Sequence, residues 1–233
     1  MRLFKKKGPP PRLSVTVVTQ DQADALKGLL ANVESFAHEI VVVDGGSKDA
    51  TEAVARAHPL VRYVRRPWDG HFGKQKNASF EHATGDWILH LDTDERVGEK
   101  LRERLPELMA ARHDFYRVPM YWLAQEEPLV YVDTPKHYPC EVPRLFRNEP
   151  GFRYEETGHP VHVTFPKAIR RRMKKIKGAH IFHYVLAWLS REELRAKVAR
   201  YEAAEPGSGE TNAAYYLYWE RPHQLKACRE RPA

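Results

Sequence analysis

The chain has 233 residues, 42% of them hydrophobic, and its 38 lysines and arginines exceed 31 aspartates and glutamates to give a net charge of +7 and a pI near 9.3. That length holds one large domain or two small ones with a full core, and the apolar share excludes a disordered chain. No apolar run approaches the roughly 18 residues of a membrane span, and residues 1–11 lack the apolar centre of a signal peptide. Cys140 and Cys228 have neither zinc-knuckle nor disulfide-framework spacing. The expectation is a soluble or peripheral protein of a reducing cytoplasm.

After the Pro9-Pro10-Pro11 spacer, Leu13 to Thr19 is rich in β-branched residues and reads as a strand. Ala23, Leu26, Leu30 and Val33 then recur at helical spacing, with Leu29 widening the stripe and Asp21 as cap. Ile40 to Val43 is a fully apolar strand ending at Asp44 and the Gly45-Gly46 turn. A helix starting near Asp49, with Glu52 completing a capping box, is expected to bury Ala53, Val54 and Ala57. Residues 61–64 form a third strand, residues 74–83 a helix that Gly85 ends, and residues 87–91 a fourth strand. Leu101, Leu105, Leu108 and Met109 mark another amphipathic helix.

Strands alternating with helices at this interval imply right-handed βαβ crossovers and a mostly parallel sheet covered on both faces. Beyond Phe115 the pattern changes to short aromatic strands broken by proline, including 115–122 and 142–146, which extend the sheet. Ser190 and Glu193 form a capping box that opens a helix with Leu194, Val198 and Tyr201 on its apolar side. Pro206 to Gly209 breaks it before a last aromatic helix within 212–220, and no internal repeat is visible. The chain divides into a basic tail (1–11), a ligand-binding half (12–112), a second half (113–189) with a basic segment at 167–177, and C-terminal helices (190–233).

The most informative stretch is Gly85 to Glu95, an apolar run that ends in three carboxylates within four positions, Asp92, Asp94 and Glu95. Two aspartates two apart on an extended segment face one side and suit a hard divalent cation. Thr19, Asp44 and Asp92 all follow strands, so they fall on the carboxyl edge where open α/β sheets bind ligands. No Gly-x-Gly-x-x-Gly or Walker loop follows any strand, so a phosphate-bearing ligand would be neutralised by the cation and by Lys74 and Lys76. The same missing glycine-rich loop argues against a sugar nucleotidyltransferase.

Taken together in order, Ser14 to Thr19, Val41-Val42-Val43-Asp44-Gly45-Gly46-Ser47-Lys48-Asp49-Ala50-Thr51, Lys76-Asn77-Ala78, Gly85-Asp86-Trp87 and Leu91-Asp92-Thr93-Asp94-Glu95 resemble the family 2 glycosyltransferases. The likeness is greatest to small bacterial members that add sugars to lipopolysaccharide cores, dense over about the first hundred residues and loose beyond. It implies a GT-A fold, a nucleoside-diphosphate sugar donor, Mg or Mn, a glycan or lipid-linked acceptor, and inversion at the transferred sugar. By the same resemblance Thr19 lines the nucleoside pocket, Asp44 bonds the base, Asp92 lies near ribose and metal, and Asp94 is the principal metal ligand. Lys76 and Asn77 stand where the family shows Arg-Asn, and one of them approaches the donor; helix packing is the other reading of Asn77. Relatives have His-Glu where this chain has His159-Pro160, so the catalytic base falls to Glu156 or Glu155, and His159 and His183 are candidates for a metal or diphosphate contact.

The three-apart pairs His159 with His162 and His180 with His183 lack companion ligands and read as structural rather than as zinc sites. The basic segment, with Ile169, Met173 and Ile176 among its charges, reads as a surface for an anionic membrane, placing the protein peripherally on its inner face. The principal rival is a basic nucleic-acid-binding module, but no helix-turn-helix, RNP or zinc-finger pattern supports it and no nucleic-acid partner is expected. A catalytically lapsed nucleotide-sugar-binding relative is the third reading, because of Pro160.

Overall fold

The computed structural model describes residues 9–233; the expected basic cluster Arg2, Lys5, Lys6 and Lys7 lies outside them. β1 (Leu13–Thr19) is followed by α1 (Ala23–Val33), β2 (Glu39–Asp44), α2 (Thr51–Ala57), β3 (Val61–Arg65), α3 (Phe72–Glu81) and β4 (Trp87–Asp92). After β4 the short β5 (Glu95–Val97) leads into α4 (Glu99–Ala110), then β6 (Phe115–Gln125), β7 (Val130–Val132) and β8 (Cys140–Arg147). The remainder is α5 (Lys167–Arg170), β9 (Lys174–Lys175), β10 (Ile181–His183), α6 (Val185–Trp188), α7 (Arg191–Ala204), α8 (Gly209–Tyr216), a 3-10 turn and β11 (Leu225–Ala227).

The main sheet runs β11-β7-β6-β8-β4-β1-β2-β3. Its β4-β1-β2-β3 part is parallel, and β8 and then β6 join antiparallel beside β4, so the second half extends the first half's sheet. Strands β1, β2 and β4 are nearly continuous runs of Val, Ile, Leu and Trp because both faces are covered. The main core joins these strands to Leu26, Leu29, Leu30 and Val33 of α1 and to Leu101, Leu105 and Leu108 of α4. A second, aromatic core of Phe80, Phe115, Phe146, Phe152, Tyr154 and Phe165 lies under the 150–173 segment. Truncating any of these rings to Ala would cost about 3–5 kcal/mol.

Several local expectations change. Gln22, not Asp21, is the residue before α1, and Asp21 takes φ 52° while its carboxylate accepts the Lys48 N–H at 2.6 Å. Asp49 makes no capping box: its carboxylate accepts the Thr51 N–H and the Ala23 N–H, tying the starts of α1 and α2 together. The face of α2 that packs inward is accordingly Thr51 and Ala55, with Ala53 and Ala57 exposed. Gly85 does not end a helix, since α3 stops at Glu81; a Cβ there would stand 2.7 Å from Ser14 Oγ and 2.8 Å from Ser14 N. Only glycine lets this loop lie so close to β1. The Ser190–Glu193 capping box is present as expected.

Ile169 and Met173 are partly buried against the aromatic core and Ile176 is buried, so the basic segment turns its larger apolar residues inward and presents mainly charge. No helix among the described residues is long and apolar enough to cross a membrane.

Candidate functional site

The parallel register places Thr19 beside Asp44 and Val18 beside Asp92, so three strands end together and deliver Thr19, Asp44 and Asp92 to one edge. Asp44 is buried, and its Oδ1 accepts the Gly46 N–H, the Ser47 N–H and the Ser47 hydroxyl, each at 2.8 Å, while Oδ2 accepts the Tyr63 hydroxyl at 2.8 Å. Burial alone would raise its pKa, but these donors outweigh it and hold the carboxyl below its usual range. Thr19 is buried with a hydroxyl that has no protein partner.

At the end of β4, Asp92 is gripped from two sides. Lys76 Nζ of α3 donates to Oδ1 at 3.0 Å, and Arg144 of β8 donates to Oδ2 at 2.5 Å. Burial pushes the Asp92 pKa up, yet Arg144 and Lys76 together carry it well below the carboxylate range. The same guanidinium nitrogen donates to Glu95 Oε1, and Glu95 Oε2 accepts the Asp92 backbone N–H at 3.1 Å. Glu95, 1% exposed, thus belongs to the support of Asp92, and burial raises its pKa in spite of Arg144.

Asp94 points elsewhere. Its Oδ2 lies 3.3 Å from Nε2 of His183, at the end of β10, and its backbone carbonyl accepts the Tyr184 N–H. The buried His183 Nδ1 has no partner, and the ring meets Trp122 edge-on at 4.3 Å. The carboxylate oxygen suits Mn or Mg and the imidazole nitrogen beside it favours Mn over the harder Mg, with the rest of the shell left to ligand oxygens and water. The residues present therefore fit a divalent cation, although no group of three or more His, Cys, Asp or Glu forms a complete cage among the described residues. Asp94 also borders a cleft of about 370 Å³ between residues 21–25, Val185, Trp188, Leu189 and Lys197.

Of the residues singled out from sequence, Asn77 does structural work. Its amide exchanges two hydrogen bonds with the Tyr154 backbone, both at 2.9 Å, and its Nδ2 also donates to Glu156 Oε1 at 2.8 Å. Glu155 is exposed, with only its backbone engaged. His159 is not at the strand edge: it is exposed and paired with Glu205 at 2.8 Å, where His162 converges on the same carboxylate. His180 pairs with Glu230 and Tyr138 while His183 meets Asp94, so those two histidines do not share a partner, whereas His159 and His162 share only the Glu205 carboxylate. Arg144, the Glu95 role and Lys197 were given no role from the sequence; Arg144 stands in the stretch Arg144-Leu145-Phe146-Arg147 that resembles a later motif of the family, and nothing local marked Lys197.

The family model for glycosyl transferase family 2 matches residues 14–192. A TPR repeat-containing protein of Synechococcus elongatus is 30% identical over 64% of this chain and 34% of its own length. The lipopolysaccharide core biosynthesis glycosyltransferase LpsC of Rhizobium meliloti is 36% identical over 42% of this chain and 37% of its own. The chain thus spans little more than a third of these curated relatives. Among solved structures, a mannosyltransferase of Pyrobaculum calidifontis in complex with GDP-Man and Mn2+ covers 91% of this chain and 69% of its own with a TM-score of 0.58 at 16% identity. Staphylococcus aureus TarS, residues 1–349, covers 88% and 70% with a TM-score of 0.52 at 14% identity, and the shared architecture is GT-A. With the strand-edge carboxylates standing where the ordered motifs put them and the match running across most of its length, this chain belongs to glycosyl transferase family 2.

Proposed function

We propose that this chain transfers a sugar from a nucleoside-diphosphate donor to a hydroxyl of a cell-envelope glycan or lipid-linked acceptor, with inversion and with Mg or Mn. The observation that carries the reading is the single sheet edge bearing Thr19, Asp44 and Asp92, with the Asp94–His183 pair two residues beyond it. The free Thr19 hydroxyl and the Asp44 carboxylate suit a nucleoside, and Asp92, already held rigid by Lys76 and Arg144, suits the ribose side of the donor. Asp94 and His183 would hold the cation, which when bound supplies Lewis-acid stabilisation of the departing diphosphate.

Attack on the anomeric carbon from the face opposite the leaving group inverts it, and a carboxylate on the acceptor side must take the hydroxyl proton. Glu156 is assigned that role: it is exposed, and Asn77 fixes one of its oxygens at 2.8 Å. Support for the acceptor class comes from the likeness to LpsC, named for lipopolysaccharide core biosynthesis. The outward-facing Lys167, Arg170, Arg171, Lys174 and Lys177 would hold the protein at an anionic membrane by roughly 1 kcal/mol each. Because Pro160 replaces the family's Glu, binding without turnover is the second reading.

Calorimetry with a panel of UDP- and GDP-sugars, with and without manganese, tests the donor reading, and product formation with Glu156→Gln tests the base. Manganese-dependent binding of one donor is expected; no binding by any donor refutes the proposal. Donor binding without turnover on any envelope glycan would establish the second reading.

A further inference from the structure

Lys197 projects from α7 into the cleft bordered by Asp94, yet no ion pair among the described residues includes it. Its Nζ stands over the rings of Tyr201 and Tyr216, at 5.5 and 5.4 Å from their centroids. Two aromatic faces steady the cation, and Tyr201 also takes one of its hydrogen bonds. Burial works against the ammonium, but Tyr201 and the fields of Asp94 and Asp92 outweigh it, so the group stays charged. The result is a positive charge held in the cleft that Asp94 borders, with N–H groups beyond the one given to Tyr201.

Charge counting says what those donors meet. At the strand edge Lys76, Arg144 and Lys197 balance Asp92, Asp94 and Glu95 one for one; of the other aspartates lining the cleft, Asp21 and Asp49 are engaged by backbone N–H groups and Asp24 is exposed to solvent. With a divalent ion held by Asp94 and His183, the same cluster carries a surplus of two positive charges. A nucleotide-sugar diphosphate brings two negative ones. Asp92 already occupies Lys76 and Arg144, so Lys197 is the cation of the three left to turn toward an incoming anion.

We propose that Lys197 binds the diphosphate of the nucleotide donor and holds it as it departs. The assignment rests on the donor reading above and adds a residue on a helix distant in sequence from the strand-edge motifs. Lys197→Met keeps the stem packed between the tyrosines and removes only the charge; Lys197→Arg keeps the charge.

Titration of the manganese-loaded full chain with UDP, GDP, UMP and GMP distinguishes the possibilities. For the base that wild type prefers, Lys197→Met should weaken the diphosphate at least about tenfold and the monophosphate less than about threefold. Lys197→Arg should stay within about threefold for both, and manganese binding without nucleotide should be unchanged. Equal weakening of mono- and diphosphate, or an unaltered diphosphate affinity, overturns the assignment of Lys197 while leaving the donor site standing. Failure of the wild type to bind any of the four overturns both. Matching thermal melts of wild type and Lys197→Arg keep the comparison valid if the Met variant unfolds.

Discussion

Arg144→Met isolates what holds the strand edge together. In the wild type one guanidinium nitrogen donates to Asp92 and to Glu95, and the side chain is only 7% exposed. Glu95 is at 1%, so the methionine leaves a buried carboxylate with neither water nor a cation beside it. Breaking a buried pair from one side costs about 3–5 kcal/mol. In a chain of this size that lowers Tm by roughly 10 °C, at about 2–4 °C per kcal/mol. Glu95→Gln in the same background removes the stranded charge, so a double-mutant cycle should recover at least about 2 kcal/mol of coupling. The deficit also has a pH signature. Without Arg144 the Glu95 pKa, already raised by burial, rises further above its unfolded value of 4.5. The folded variant then binds the extra proton, so its stability falls as pH rises through about 4.5 and above. Urea denaturation at pH 4.5 and pH 8 reads all three effects. A loss under about 1 kcal/mol, or additivity of the two substitutions, would refute the argument that Asp92 and Glu95 are held by one shared cation.

Asn77→Ala removes three hydrogen bonds and strands the buried Tyr154 N–H, so it should destabilise by about 2–4 kcal/mol and, in product assays, lower kcat more than it alters donor affinity. Glu205, whose pKa is pulled down to about 2 because the His162 and Val161 N–H groups and the His159 and His162 rings outweigh burial, should lend stability that is present above 4.5 and lost as pH falls toward 2. Glu205→Gln should flatten that acid limb by about 1–2 kcal/mol once solvent screening is allowed for, and unchanged acid unfolding would count against it. Replacing Lys167, Arg171 and Lys174 together by Glu should abolish co-sedimentation with vesicles of acidic lipid, with the folded state intact because all three side chains are exposed. Equal sedimentation of wild type with neutral vesicles would exclude the electrostatic surface.

What was legible in the sequence was what a strand states locally. The apolar runs of β1, β2 and β4 announce strands buried on both faces, and the carboxylates after them come to one edge of the sheet, because residues at strand ends share a fate whenever the strands are parallel and in register. The partners of those carboxylates were not legible. Arg144 reaches Asp92 across 52 positions and His183 reaches Asp94 from a strand paired with β5, a pairing set only once β6 and β10 lie side by side. The role of the third carboxylate was hidden for the same reason: Glu95 becomes a support of Asp92 only through burial and Arg144. α2 was misread because its inward face is a threonine and an alanine, Thr51 and Ala55, too weakly apolar to fix the helical phase.

α3 ties the carboxylate edge of the sheet to the loop that carries Glu156. Its buried face is mostly polar, Gln75, Lys76, Asn77 and Ser79, which an amphipathic reading cannot anticipate. Successive residues on a helix point about 100° apart. Lys76 therefore turns to Asp92 at the end of β4 while Asn77 turns to Tyr154 and Glu156 in the loop beyond β8. The helix start is pinned to the same loop: Phe72 donates its N–H to the Pro160 carbonyl, and a Cβ on Gly73 would stand 2.8 Å from the Glu155 carbonyl oxygen. A larger residue at Gly73 would push the Glu156 loop away from α3 while leaving the Lys76–Asp92 pair in place. On this geometry Gly73→Val should lower turnover with little loss of donor affinity, whereas Lys76→Met should do the reverse; identical kinetic defects in the two variants would show that α3 does not divide its contacts between the two sides.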